Sequence, residues 1–278
     1  MDWSWLHSLI YGLLSGISEF LPISSEAHQL IFLKLSGLHW QAQMPFRLFC
    51  HIGAFFGVYL AYRPYLRKIQ RERRLSSIPS RRRKRQVNQK TLLEWRILKT
   101  AMIPIVLSFV FRFLLPAQNV SLLVLAVFMV INGIFLYLPR LFPTGNKDSL
   151  SMSGADSLIL GVSGALGRLP GVSGLASTLS SLKLRGVDPQ YALQLCMMLT
   201  MPVLLCGMAL DIYGMIVYEA AFTLAYFFKY LLSALASFGG AFASIYAMRF
   251  LSVKVGYTGF AYYSLGAALL TFIFYLLF

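Results

Sequence analysis

The chain has 278 residues, 58% of them hydrophobic and 13% charged, with a mean hydropathy of +0.67. Lys and Arg number 25 against 10 Asp and Glu, a net charge of +15. These values exclude an ordinary soluble domain and describe a single polytopic membrane domain over residues 1–278. Cys50, Cys196 and Cys206 sit in apolar segments without metal-ligand spacing and read as small hydrophobes. The N-terminus lacks the positive region of a cleavable signal peptide.

Trp3 to Phe20 reads as a moderately apolar helix with interfacial aromatics at its start. Pro22 ends it, and Gln29 to Leu38 is apolar but too short to span. Two short helices joined at a polar break predict a re-entrant hairpin. Met44 to Tyr62 reads as a full span. From Arg63 to Lys99 there are 14 Lys/Arg and 2 Glu. A basic stretch between spans is expected as a cytoplasmic loop touching anionic membrane lipid, with Arg81 to Arg85 as the densest contact, rather than as a nucleic-acid site.

Thr100 to Leu115 and Val120 to Leu138 read as two further spans, joined by a turn over Pro116 to Asn119. Arg140 to Ala155 is a polar loop. Asp156 to Leu184 then repeats the opening pattern, with Arg168-Leu169-Pro170-Gly171-Val172-Ser173 at its centre, as Phe20-Leu21-Pro22-Ile23-Ser24 is at the centre of the first. Broken apolar segments at matching places in two halves predict a site at the repeat interface. Tyr191–Leu210, about Ala221–Met248 and Tyr257–Phe278 supply three more spans.

With the basic stretch inside, a re-entrant second pair puts Arg140, Lys147, Lys183, Arg185, Arg249 and Lys254 on the cytoplasmic side, and Asp211 and Glu219 outside. The expected fold is an all-α integral membrane protein with six transmembrane helices and two re-entrant helical hairpins, arranged as an inverted-topology repeat. The repeats cover about 1–138 and about 156–278, the basic loop 63–99 is cytoplasmic, and both termini lie outside.

Ionisable groups at membrane depth are costly and point to function. The first break offers Glu19, Ser24, Ser25, Glu26 and His28 as bases and nucleophiles. The second offers a cation, Arg168, with Gly171, Ser173, Gly174, Ser177 and Thr178. A helix starting after Pro170 aims its positive end at an anion. An acid–His–Ser cluster facing Arg and a Gly/Ser loop suits a phosphate ester or anhydride. His7, His39 and His51 read as interfacial or packing residues.

Glu19-Phe20-Leu21-Pro22-Ile23-Ser24-Ser25-Glu26-Ala27-His28 and Pro170-Gly171-Val172-Ser173, with the helix around Met201-Pro202 and Asp211, resemble the undecaprenyl pyrophosphate phosphatase, or bacitracin-resistance, family over almost the whole chain. The resemblance implies a multi-pass phosphatase of the bacterial inner membrane. It would hydrolyse a polyprenyl diphosphate to the monophosphate and inorganic phosphate, recycling the lipid carrier for cell-wall synthesis, at a site open to the outer face.

It implies that Glu19 serves as acid/base or metal ligand, Ser25 and His28 as nucleophile or proton carrier, and Ser173 with its loop amides as phosphate contacts. It also implies a divalent cation, Mg2+ or Ca2+. A homodimer is a further expected assembly. The chain departs from the family pattern at Ser15 (for Glu), Gly174 (for Arg), Leu175-Ala176 (for Ser-Gly) and His51 (for Gln). Arg168 and Glu26 are the expected replacements for the missing charges. A non-catalytic lipid-phosphate transporter or flippase and a structural or regulatory membrane partner are the alternatives.

Overall fold

The structure is a computed structural model and describes residues 3–83, 85–110, 120–220, 222–254 and 257–277. Ten α-helices occur among the described residues: α1 (Trp5–Phe20), α2 (Ser25–Ser36), α3 (Trp40–Ser76), α4 (Gln89–Ser108), α5 (Leu122–Tyr137), α6 (Gly154–Leu166), α7 (Gly174–Leu184), α8 (Pro189–Val217), α9 (Phe227–Lys254) and α10 (Thr258–Leu277). Among the described residues, five segments are long and apolar enough to cross a membrane: Gln41–Ser76, Leu122–Leu141, Pro189–Val217, Leu224–Leu251 and Gly259–Leu277. The protein is a multi-pass, all-α membrane protein. The expected span over Thr100 to Leu115 falls on α4, which starts in polar sequence and is described to Ser108. The rest of that span and the turn at Pro116 to Asn119 lie outside the described residues.

The basic stretch differs from the expected loop. α3 runs on through Pro64 to Ser76, and α4 begins at Gln89. Hydropathy marks where a span leaves the membrane, not where a helix stops, and Arg, Lys, Gln, Glu and Leu are all good helix formers. The segment between is tied down. Glu72, itself buried, pairs with Arg85 and accepts from the Asn88 amide at 3.0 Å. At the same end Lys90 Nζ lies 2.6 Å from Asp148, and this hydrogen bond holds the Asp148 carboxyl below its usual range.

The helices on either side of each break form an antiparallel hairpin. Ser4 caps α1 with His7 in a capping box. The start of α1 lies beside the end of α2, with Tyr11 5.7 Å and His7 6.1 Å from Phe32, ring to ring. Gly37, at φ 61, closes α2 in the left-handed conformation. In the second hairpin Arg185, just past α7, reaches Asp156 in the first turn of α6 at 2.6 Å, and Ser163 meets Ser181 at 2.8 Å. The arms have 16, 12, 13 and 11 residues. At 1.5 Å per residue the longest reaches about 24 Å, short of the roughly 30 Å of a hydrocarbon core.

The open ends of the hairpins lie at opposite ends of the bundle. The first sits among Trp3, Phe46 and Tyr230, near the starts of α3 and α9. The second sits by the starts of α4 and α8. The packing is reciprocal: α1 lies mainly on α9 and α6 mainly on α4, while α3 faces α8 and α5 faces α10. Small residues permit this closeness. A Cβ at Gly16 would stand 2.1 Å from the Ser237 carbonyl oxygen, and one at Gly161 would stand 2.5 Å from that of Ala101.

Candidate active site

Both breaks are built by local chemistry. Pro22 stops α1, and Ser24 then takes φ 67, ψ 95, which is strained for a residue with a Cβ. The Ser24 hydroxyl caps α2, accepting from the Ala27 amide. In the second break Pro170 and Gly171 fill the central positions of a turn closed by Val172 N–H to Leu169 C=O at 3.1 Å. Gly171 has φ +96, as the third residue of a type II turn requires. Its missing Cβ would also meet the Leu125 carbonyl at 2.8 Å. Ser173 caps α7.

The two tips meet around a cavity of about 140 Å³. Its lining includes Glu19, Ser24, Ser25 and Glu26 from the first hairpin and Arg168, Ser173, Gly174 and Thr178 from the second. The positive ends of α2 and α7 therefore point into one space. Ser25 Oγ accepts from Gln29 Nε2 at 3.0 Å, which leaves the serine proton to be donated. Thr178 Oγ1 donates back to the Gly174 carbonyl at 2.6 Å. The Arg168 guanidinium lies over the Phe109 ring, 4.8 Å from its centre. A Cβ on Gly174 would stand 4.0 Å from Arg168 Nη2, with nothing closer than 3.7 Å. The guanidinium thus occupies the neighbourhood that a side chain at 174 would enter.

Two candidates, His28 and Gly171, fall elsewhere, and the backbone amide of a third, Ser173, is occupied. His28 is not part of the lining. Its Nδ1 is 2.8 Å from the Ser24 carbonyl and must donate there, so its Nε2 accepts from the Tyr263 hydroxyl at 2.7 Å. Both ring nitrogens are engaged on the far side of the break. Gly171 serves the turn and packs on α5, off the cavity. The Ser173 amide is already taken by Asn132 Oδ1 at 2.8 Å, so it is not an anion donor. Ser15 is buried, off the lining.

Three polar residues join the cavity that sequence reasoning did not assign to it. Arg47 Nε lies 2.5 Å from Asp211 Oδ1, and His51 Nδ1 lies 2.7 Å from Asp211 Oδ2; all three line the space. Asp211, expected on the outer side just past a span ending at Leu210, is buried within α8, because that helix continues to Val217. Asn132 was also missed. It is fully buried and donates to the Pro22 carbonyl and to Ser264 Oγ, each at 3.1 Å. The available signal was a lone amide in an otherwise apolar span.

Beyond the first break lies a second, apolar groove of about 470 Å³, lined by Ile17, Leu21, Ile23, Leu251, Gly259, Phe260 and Tyr263. Leu21 and Ile23 face the groove while Ser24 and Ser25 face the cavity. Among the described residues no three His, Cys, Asp or Glu side chains group into a preformed metal site.

The family model described as bacitracin resistance protein BacA matches residues 8–270. A protein named undecaprenyl-diphosphatase from Saccharolobus islandicus is 32% identical over 200 residues, covering 71% of this chain and 69% of its own length. One of that name from Campylobacter concisus is 30% identical over 207 residues, covering 74% and 75%. Another from Campylobacter curvus is 27% identical over 261 residues, covering 94% and 95%. The match takes in both breaks, the cavity between them and nearly all the helices around it, and the chain therefore belongs to the BacA bacitracin-resistance family.

Proposed function

We propose that this protein is an undecaprenyl-diphosphate phosphatase that hydrolyses a membrane-held polyprenyl diphosphate to the monophosphate and inorganic phosphate. One observation carries the reading: two helix N-termini, Arg168, Ser25 and Glu19 converge on one cavity at the meeting of two broken helices. The cavity has room for a polar head group and not for a long isoprenoid chain, while the groove beside Leu21 and Ile23 is apolar and suits such a chain. Arg168 and the N-terminus of α7 take the phosphoryl oxygens. Ser25 supplies the hydroxyl that attacks or orients attack. Arg168 supplies a cation to the cavity where position 174 lacks an arginine, which favours the phosphatase over a non-catalytic transporter.

Glu19 and Glu26 are the carboxylates that fit a hard divalent cation. With no third His, Cys, Asp or Glu grouped around them among the described residues, they suit an ion shared with substrate oxygens, as Mg2+ is commonly held. Such an ion would neutralise charge on the phosphoryl oxygens.

The reading includes a topology. Short antiparallel arms that enter from opposite ends and meet midway support two re-entrant hairpins. The reciprocal pairing of α1 with α9 and α6 with α4 supports inverted repeats of about 1–138 and 156–278. Lys90, Lys147, Arg185 and the basic end of α3 gather at the second hairpin's open end, which supports that face as cytoplasmic, against anionic lipid. Arg47 and Asp211 lie toward the other end of α3 and α8, which supports a cavity serving the outer face of the inner membrane.

The test is phosphate release from farnesyl or undecaprenyl diphosphate by detergent-purified protein with Mg2+ or Ca2+. Turnover that is lost in Glu19→Ala supports the reading. No turnover with either lipid and either ion overturns it.

A further inference from the structure

The phosphatase reading calls for a proton acceptor in the cavity, and His28 is not among the residues that line it: its nitrogens meet the Ser24 carbonyl and the Tyr263 hydroxyl. We infer that His51 is the catalytic proton acceptor, held in place by Asp211 and Arg47. The inference rests on the phosphatase reading and names the base within it.

The geometry is that of an oriented imidazole. Nδ1 lies 2.7 Å from Asp211 Oδ2, so Nδ1 carries the proton and Nε2 holds the lone pair. Nε2 makes no hydrogen bond to a described residue, and the ring borders the cavity. Helix α8 packs against the ring edge: a Cβ on Gly207 would stand 3.1 Å from Cε1, so the ring has one settled position. Asp211 is 1% exposed and is pinned from its other oxygen by Arg47. A buried carboxylate that fixes tautomer and ring, with the far nitrogen facing substrate space, is the arrangement by which a histidine serves as general base. Other charged or titratable groups around the same space are Arg47 on its own helix, Asp211 and Cys196 on α8, Glu19 and Glu26 from the first hairpin, and Arg168 from the second.

The step balances without any further reactant. Water bonds to the terminal phosphorus directly, or Ser25 Oγ does so and water then displaces the phosphoryl group from the serine as inorganic phosphate, the serine oxygen taking back a proton; in each attack the hydroxyl gives its proton to His51 Nε2. The bridging P–O bond breaks, and its electron pair stays on the polyprenyl monophosphate. The imidazolium then releases the proton to solvent. Arg47 and Asp211 are positioning residues in this step.

The experiment measures phosphate release against pH for the wild type, His51→Gln, His51→Ala and Asp211→Asn, in detergent with Mg2+. Glutamine can still donate to Asp211 and fill the ring's place, so His51→Gln keeps the fold and lacks only the basic nitrogen. The expected result is a rate lower by roughly 10²-fold or more, with the acid limb of the wild-type profile gone. Added imidazole restores part of the His51→Ala rate, and Asp211→Asn, which no longer fixes the tautomer of the ring, lowers kcat. An active wild type whose profile is unchanged in His51→Gln overturns the inference. A slower His51→Gln that keeps the acid limb, with no imidazole rescue of His51→Ala, assigns the ring to packing and also overturns it. A wild type that releases no phosphate overturns the phosphatase reading, and the inference with it.

Discussion

The Ser173 amide donates to Asn132 Oδ1 across 2.8 Å, inside the bundle and at the tip of the second hairpin. The same side chain donates through Nδ2 to the Pro22 carbonyl at the tip of the first. One buried amide on α5 therefore holds both breaks in register. Each break leaves backbone groups that no helix satisfies, and in an apolar bundle these must find a partner. Asn132→Leu is expected to strand the Pro22 carbonyl and the Ser173 N–H, costing roughly 2–4 kcal/mol. Thermal unfolding in detergent reads this as a lower midpoint, and Asn132→Asp, which cannot both donate and accept while ionised, should fall on the same side.

Arg168 is expected to carry phosphate recognition. Arg168→Ala should reduce kcat/KM by about 10²-fold, the scale of one lost oxyanion contact. Because the Gly174 Cβ position is open and stands 4.0 Å from Arg168 Nη2, Arg168→Ala combined with Gly174→Arg should recover much of the loss. A double variant no better than Arg168→Ala would show that the two positions do not serve one site.

Ser25 and Glu19 line the cavity and His28 does not. Ser25→Ala and Glu19→Gln are expected to lower phosphate release by at least about 10²-fold. His28→Ala, which loosens the Ser24 carbonyl and frees Tyr263, should cost less than about tenfold. Comparing kcat for the three variants decides the order.

Chelation tests the shared-ion arrangement. EDTA should abolish phosphate release, and Mg2+ should restore it. Glu19→Gln and Glu26→Gln should each need more Mg2+ for half-maximal rate, since a site with few protein ligands depends on each carboxylate.

Re-entry predicts which residues label together. In a protein with its three cysteines replaced by alanine, Trp5→Cys and Leu35→Cys should react with an impermeant thiol reagent from one side of the membrane. Leu150→Cys and Leu184→Cys should react from the other. All four side chains are exposed in the bundle. Labelling of Trp5→Cys and Leu35→Cys from opposite sides would make that hairpin a crossing pair.

Much of the architecture is legible in the residues themselves. Pro22 and Pro170 cannot continue a helix, Ser24 and Ser173 are natural caps, and the apolar runs have the lengths of spans and half-spans. These are local effects, set by a few neighbouring side chains. The positions of Glu19, Ser25, Glu26 and Arg168 at the two breaks follow from the same local rules, so their meeting in one cavity was open to inference from the repeated pattern. What only the tertiary structure decided depends on contacts between distant helices. Asp211 lies 160 positions from His51 and 164 from Arg47, and no spacing rule joins them. His28 shares the first break with Ser25, yet the direction of its ring is set by Tyr263, 235 residues away on α10. A buried charge or ring nitrogen takes the partner that the packed bundle offers, which is why the His28 ring meets Tyr263 and the His51 ring meets Asp211 at the cavity wall.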